Sequence, residues 1–301
     1  MKPFVAAVDW GTSSFRLWVL ASDGTVLAEA RSDEGMMKAI SLGFPAVLDR
    51  HLGDVGAGAD LPVMICGMAG ARQGWREAPY LDTPAALDDL GAQAVTIDGQ
   101  IRDIRILPGV AQRDPDWPDV MRGEETQLLG AIGQGTRSGL VCMPGTHAKW
   151  VELRDGVVRR FATVVTGETF AVLREHSILR LALDGQPQPE ADDPVFLETV
   201  RAVYQDPALG VARLFAIRAG PLLGVRDPAQ GAARLSGLLI GMELAAARAR
   251  FGSIGKVQLV AAGRLEGVYR AALRAVETSV ETVDADVAVR AGLLGAARTI
   301  W

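Results

Sequence analysis

Three short segments of this 301-residue chain carry residue types and spacings suited to phosphate chemistry. The first is Asp9-Trp10-Gly11-Thr12-Ser13-Ser14. A turn of Gly, Thr and two Ser can aim several backbone N–H groups and hydroxyls at one point, as a nucleotide phosphate requires. Asp9 ends an apolar run and is placed to hold Mg²⁺ through water, because that cation keeps several waters and takes only one or two carboxylates. The second segment, Gly145-Thr146-His147-Ala148-Lys149, repeats the Gly-Thr turn, and Lys149 either neutralises phosphate charge or faces solvent. Neither turn has the glycine spacing of a Walker loop or a dinucleotide fingerprint. The third, Ala262-Gly263-Arg264, follows the apolar run Val257–Ala261 and would let a flat ring approach the backbone closely. Each turn alone reads as ordinary structure. The pair of Gly-Thr turns tips the reading towards a clamp on the β- and γ-phosphates of a nucleotide.

A transferred phosphoryl group needs a carboxylate to orient the attacking hydroxyl and accept its proton. The adjacent pair Glu124-Glu125 opens a stretch of helical apolar spacing that runs to Gly133. Consecutive helical residues diverge by about 100°, so only one of the two can point squarely into a site. The plain alternative is that both are helix-start acids stabilised by the macrodipole. The histidines at 51, 147 and 176 are too scattered for a metal cluster, and His147 reads as a hydrogen-bonding residue.

The elements that must position these residues repeat. Phe4–Val8, Phe15–Leu20 and Thr25–Ala30 read as strands joined by the Gly-Thr turn and an Asp23-Gly24 hairpin. Leu140–Met143, Lys149–Leu153 and Val157–Val165 follow the same order, with Asp155-Gly156 as the hairpin. The copies lie 134 residues apart, counted from Gly11 to Gly145, which predicts two similar domains and not a solenoid. Their hairpins would then face one another across a cleft. Pro62–Cys66 and Val257–Ala261 read as buried strands, Leu235–Arg250 as an Ala-rich helix, and Gly185–Pro194 as a surface loop. Two helices carry small residues: Gly130, Ala131 and Gly133 on one, and Ala288, Ala291, Gly292, Gly295 and Ala296 on that from Val287 to Arg298. Such faces allow close backbone approach, as a hinge between lobes needs.

In this order the two phosphate turns, the crossing helices and the Ala-Ala-Gly turn resemble the sugar kinase/Hsp70/actin superfamily. The chain is more specifically similar to the 2-keto-3-deoxygalactonokinases. That resemblance rests on Asp9–Ser14, the long block Gly67–Tyr80, Arg122-Gly123-Glu124-Glu125-Thr126-Gln127, Pro144–Val151 and Thr166-Gly167-Glu168, spread over most of the chain. Ala71 and Ala148 stand where the family pattern suggests serine, and backbone N–H groups can bind phosphate without that hydroxyl.

The resemblance implies an α/β fold of two ribonuclease-H-like lobes closing on Mg·ATP and a sugar acid. Residues 1–123, completed by 287–301, would hold the substrate and the first phosphate turn. Residues 124–286 would hold the second turn and the adenosine site at Ala262, Gly263 and Arg264. The implied reaction is phosphorylation of the terminal 6-hydroxyl of 2-dehydro-3-deoxy-D-galactonate, in galactonate catabolism. Similarity to sugar kinases favours Glu125 over Glu124 as the base. Arg72 and Arg122 are the candidates to pair with the substrate carboxylate, Gln73 accompanies them, and Trp75 and Tyr80 could wall the pocket. ATP phosphates would meet Gly11, Thr12, Ser13, Ser14, Gly145, Thr146, His147 and Lys149. Thr166–Glu168 and His176 have no derivable role. A kinase for another sugar is one rival, and a slow ATPase regulator with a protein partner is another.

Composition restricts the remaining classes. Lys+Arg 31 against Asp+Glu 36 gives a net charge of −5, and only Lys2, Lys38, Lys149 and Lys256 are lysines, so no basic stripe awaits nucleic acid. The apolar share of 49% supports a sizeable core, yet no 18-residue stretch is apolar throughout, so no membrane partner is expected. Cys66 and Cys142 in apolar runs read as buried thiols of a reducing, cytoplasmic compartment. Oligomeric state stays open.

Overall fold

The strand run Phe4–Val8 extends in the structure to β1 (Pro3–Trp10), and its lack of apolar–polar alternation has a direct cause. Both faces of the strand are covered, as in the centre of a two-sided sheet. Ala6, Val8 and Trp10 enter one cluster, whereas Val5 and Ala7 enter another on the opposite face. A computed structural model describes residues 1–135 and 137–301.

The elements before residue 136 are β1, β2 (Phe15–Ala21), β3 (Val26–Ser32), α1 (Met36–Leu42), α2 (Phe44–Asp54), β4 (Val63–Gly67), β5 (Tyr80–Asp82), β6 (Ala85–Ala86), β7 (Val95–Thr96), β8 (Ile104–Ile106), β9 (Gly109–Asp114), β10 (Trp117–Met121) and α3 (Glu124–Ile132). There follow β11 (Gly139–Met143), β12 (Ala148–Arg154), β13 (Val157–Val164), α4 (Thr166–His176), α5 (Arg180–Leu183), α6 (Pro194–Gln205), α7 (Ala208–Ala212), α8 (Ala216–Leu222), α9 (Gly231–Phe251), β14 (Lys256–Ala261), α10 (Gly263–Ala275), β15 (Ser279–Asp284) and α11 (Ala285–Ala297).

The chain divides into two units. The first comprises Met1–Ser138, Leu153–Arg160 and Asp284–Trp301, and the second Gly139–Glu152 and Phe161–Val283. In the first unit the large sheet runs β3-β2-β1-β4-β8-β7, with β1–β2 and β2–β3 antiparallel and β1–β4 and β4–β8 parallel. Helices α1 and α2 cover one face through Met36, Phe44, Val47 and Leu48. Helix α11 covers the other through Val289, Leu293 and Ala297, against Trp18, Met64 and Cys66. A small sheet β10-β9-β5 stands apart, and Val157 and Val158 pair with Ala86 and Ala85.

The second unit repeats the order as β13-β12-β11-β14-β15, with β11 and β14 parallel. Three strands in hairpin succession followed by parallel strands is the ribonuclease-H-like arrangement, and it occurs twice, as the 134-residue spacing predicts. Helix α9 is buried on both sides, in the sheet-facing cluster through Ile240 and Leu244 and in an outer one through Leu235 and Leu238. Gly237 and Gly241, one turn apart, let α6 lie against it: a Cβ on Gly241 would stand 2.8 Å from Val203 Cβ.

The small-residue helices cross inside the first unit. A Cβ on Gly130 would fall 1.8 Å from the Ala288 carbonyl oxygen, and one on Gly292 would fall 1.9 Å from that of Thr126. This packing places α3 with the N-terminal sheet. The units divide after Ser138, not after Gly123, and Asp284 already belongs to the first.

Candidate active site

The carboxyl end of β1 is where the first unit gathers its acids. Asp9 is paired in register with Arg16 on β2, and Arg16 donates a hydrogen bond to its carboxylate. Arg16 also donates to Asp286 at the start of α11, and Asp286 accepts a further bond from Arg31 at 2.9 Å. Asp9 is only 8% exposed. Burial raises its carboxyl, Arg16 opposes that, and the charges of Glu124 and Asp286 add to it. Arg16 and Asp286 were missed in the sequence. Arg16 closes the Asp9–Ser14 block and could have been found as its hairpin partner, but nothing local links residues 270 positions apart.

Two glycines make room around Asp9. Gly67, at φ +86°, ends β4 so close to β1 that a Cβ would lie 2.6 Å from the Trp10 carbonyl oxygen and 3.5 Å from Asp9 Oδ1. Gly123, at φ +109°, precedes α3 with its Cβ position 3.6 Å from Gly67 Cα. Gly11–Ser14 form the adjoining turn, exposed from Thr12 to Ser14. Its Gly11 and Thr12 carbonyls accept from the N–H groups of Met36 and Met37, so the turn is fixed by the first turn of α1.

Burial separates the two glutamates. Glu125 is 0% exposed, and its two carboxylate oxygens accept from the Gly123 N–H at 2.8 and 2.7 Å while Thr126 Oγ1 donates at 3.1 Å. Glu124 is partly exposed and accepts from the Arg122 N–H at 3.1 Å. Its charge reaches both Asp9 and Glu125. Burial and that neighbouring charge lift Glu125 to about 7, against the pull of the Gly123 N–H. The folded protein therefore holds a proton that the unfolded chain releases from pH 4.5 upward. Stability from this group is full below pH 4.5 and is lost as pH rises through about 7. Glu125→Gln removes the titration, so its stability relative to wild type should improve by roughly 1–3 kcal/mol between pH 4.5 and pH 8. Denaturant melts at the two pH values measure this, and a pH-independent difference refutes it.

The Gly67–Tyr80 block splits in its roles. Arg72 and Gln73 are exposed, and Arg72 makes no ion pair among the described residues. Trp75 is half-buried, packs against the core and stacks on Phe44 at 6.0 Å. Arg122 turns inward: it donates to the Ala78 carbonyl at 2.9 Å and lies 4.3 Å over the Tyr80 ring, with Nε and Nη1 sealed from solvent. That geometry holds the block in place, and it leaves Nε and Nη1 buried without a hydrogen-bond partner among the described residues.

In the second unit a cavity of about 390 Å³ is lined by Gly145, Thr146, Thr166, Gly167, Phe170, Ser236, Leu239, Ile240 and Arg264, among others. Residues chosen from two separate motifs thus share one pocket of small-molecule size. Ala262 and Gly263 are exposed at the start of α10, and Arg264 is held by Gln188 at 3.2 Å and by the Pro189 carbonyl. The Thr166–Glu168 block gains a role here. His147 pairs with Glu168 at 2.8 Å, the Glu168 N–H donates to the Thr146 carbonyl at 3.0 Å, and a Cβ on Gly167 would stand 2.5 Å from the Gly145 carbonyl oxygen. The block is the wall against which the second turn is built. Lys149 neither faces solvent nor lines the cavity: it is 4% exposed, with Nζ 3.4 Å from the His147 carbonyl. His176 is exposed beside Glu175.

No group of three or more His, Cys, Asp or Glu gathers as a metal cage among the described residues. Magnesium bound with phosphate oxygens and water needs only one or two carboxylates, and Asp9, with the charge of Glu124 nearby, would be the residue to hold it. Their mutual repulsion is what a divalent cation would relieve.

Two ribonuclease-H-like units, a carboxylate pair and a separate nucleotide-sized pocket define the actin-like ATPase and sugar kinase fold class. Agreeing with this, the structure superposes on the activator of the 2-hydroxyisocaproyl-CoA dehydratase from Clostridium difficile, solved with ADPNP, with a TM-score of 0.52 at 14% identity, covering 98% of this chain and 92% of that one. Within the class the chain belongs to the 2-keto-3-deoxy-galactonokinase family, whose profile matches residues 9–296. It is 54% identical over 299 residues to a probable 2-dehydro-3-deoxygalactonokinase of Rhizobium meliloti (strain 1021), covering 99% of this chain and 98% of that protein. It is 34% identical to the 2-dehydro-3-deoxygalactonokinase of Escherichia coli (strain K12), covering 98% and 97%. A crystal structure under the same activity name from Sinorhizobium meliloti superposes with a TM-score of 0.96 at 53% identity, covering 99% of both chains.

Proposed function

We propose that this chain transfers the γ-phosphoryl group of ATP to the terminal 6-hydroxyl of 2-dehydro-3-deoxy-D-galactonate. The observation that carries the reading is the carboxylate pair: a partly exposed Glu124 and a buried Asp9, near enough for the charge of Glu124 to raise the Asp9 carboxyl, beside a Gly-Thr-Ser turn. In this reading Glu124 orients the hydroxyl and takes its proton as the oxygen attacks phosphorus and ADP leaves. The resemblance favours Glu125 for that task, but its carboxylate has no exposure and is held by the Gly123 N–H, so Glu124 serves as the base and Glu125 shapes the helix start. Asp9 holds Mg²⁺ through water, and the ion supplies charge neutralisation at the phosphates when bound.

The division of labour follows the units. Residues of the first bind the sugar acid and, through Gly11–Ser14, phosphate. Gly145, Thr146 and His147 bind phosphate in the second, with adenosine against Ala262, Gly263 and Arg264. No helix among the described residues is long and apolar enough to cross a membrane, and both cysteines are free and buried, which accords with a cytoplasmic setting.

Arg72 is the residue available to the substrate carboxylate. A charge-assisted contact is worth roughly 1.5–3 kcal/mol, so Arg72→Ala should raise KM for the sugar acid about ten- to a hundredfold with KM for ATP little changed. Arg122→Ala should instead lower Tm. Steady-state kinetics on both substrates separate these outcomes, and a rise confined to KM for ATP places Arg72 on the phosphate side. A panel of sugars and sugar acids with coupled ADP detection tests the function itself. Strong acceleration by the galactonate-derived keto acid supports the reading, a better substrate redirects it within the fold, and indifference to every sugar leaves the ATPase regulator.

A further inference from the structure

The mechanism above makes no use of Glu243, an acid with no solvent exposure in the middle of α9. Removing a carboxylate from water costs several kcal/mol unless hydrogen bonds replace the lost solvation. Here three donors from three other elements do so. Trp150 Nε1 on β12 donates to Oε1 at 2.9 Å, and Tyr269 OH on α10 donates to Oε2 at 2.7 Å. Thr166 Oγ1, at the start of α4, donates to Oε2 as well. Burial raises the Glu243 carboxyl, and the Thr166, Tyr269 and Trp150 bonds oppose that. The Glu243 charge in turn helps to raise the Cys142 thiol and the Tyr269 hydroxyl. The partners point to a purpose beyond packing. Thr166 and Tyr269 line the 390 Å³ cavity, as do Ser236, Leu239 and Ile240 from Glu243's own helix. Thr166 also precedes Gly167, whose backbone abuts the Gly145 carbonyl of the second phosphate turn.

We infer that Glu243 is a positioning residue of the nucleotide pocket, fixing the Thr166 and Tyr269 walls so that the second phosphate turn meets ATP in one geometry. A carboxylate suits this task because it accepts from all three donors at once, whereas an amide oxygen carries only two lone pairs. An apolar side chain of similar volume would fill the space without setting the rotation of either hydroxyl. The inference rests on the reading of this cavity as the ATP site.

The test is calorimetric ATP binding and two-substrate kinetics on the full chain, with Tm as the folding control. Glu243→Gln should weaken ATP binding and raise KM for ATP by roughly tenfold, with KM for the sugar acid unchanged. Tyr269→Phe removes one donor and keeps the ring, so it should weaken ATP binding roughly threefold and supplies the measurement if Glu243→Gln does not fold. A merely structural role predicts a lower Tm with ATP affinity of the folded protein unchanged, and that result in Tyr269→Phe or Glu243→Gln overturns the inference. Leu239→Trp, which fills the cavity, keeps the two failures apart. If it leaves ATP binding intact, the cavity is not the ATP site and both readings fall. If it abolishes binding while the other two variants bind ATP normally, the inference about Glu243 alone is overturned.

Discussion

Glu124→Gln is expected to lower kcat by roughly 10²–10⁴-fold while KM for the sugar acid stays within about threefold. Glutamine keeps the size of the side chain and can still accept from the Arg122 N–H, but it cannot take the proton of the attacking hydroxyl. Glu125→Gln is the internal control, with an expected loss below about tenfold, because its carboxylate is engaged by Gly123 and has no exposure. Tm of each variant separates lost chemistry from lost folding. A deep loss at Glu125 alone returns the base to the residue that the sugar kinase resemblance favoured and means that the helix start opens when substrate binds. Little loss at either removes this helix as the source of the base and leaves Asp9 as the next acid to test.

Asp9→Asn should reduce phosphoryl transfer by at least about 10³-fold at ordinary Mg²⁺. An amide is a neutral, weaker partner for a hydrated cation, so the Mg²⁺ concentration needed for half-maximal rate should rise as well. The Arg16 contact complicates the variant. Arg16 bridges Asp9 and Asp286, and losing one carboxylate leaves a half-buried guanidinium with the other. Arg16→Met, measured beside it, resolves the two contributions: a large change in Mg²⁺ dependence should appear in Asp9→Asn and not in Arg16→Met. Near-normal kcat for Asp9→Asn at saturating Mg²⁺ would remove the metal role.

Much of the architecture was legible because its causes are local. Strand β1 ends at a turn whose Gly, Thr and Ser residues break the apolar run, and the Asp-Gly dipeptides at 23–24 and 155–156 specify tight hairpins. The same grammar at Gly145 gave the duplication, and the two sheets carry it out strand for strand. The helix over 231–251 followed from apolar spacing and that over 285–297 from its small residues, with boundaries shifted by a few residues. The short strands β5 to β10 escaped notice. They are two to six residues long, and their pairing partners, such as Gly109 for Tyr80, are far from obvious in the chain.

By itself, then, the sequence determined the repeated hairpins, the family and the small set of residues from which the site is drawn. Turn chemistry and side-chain periodicity act over a few residues, and those are written directly in the chain. What the tertiary structure decided is which of these candidates faces a ligand. Glu124 and Glu125 are equivalent as letters, and only the folded chain buries one and leaves the other partly exposed. Arg72 and Arg122 look alike until Tyr80 and the Ala78 carbonyl claim the second. The pairings Arg16–Asp286, His147–Glu168 and Glu243 with its three donors join residues 21 to 270 positions apart. Exposure and hydrogen-bond partnership depend on what packs against a residue from elsewhere in the chain, and so they exist only once the fold is formed.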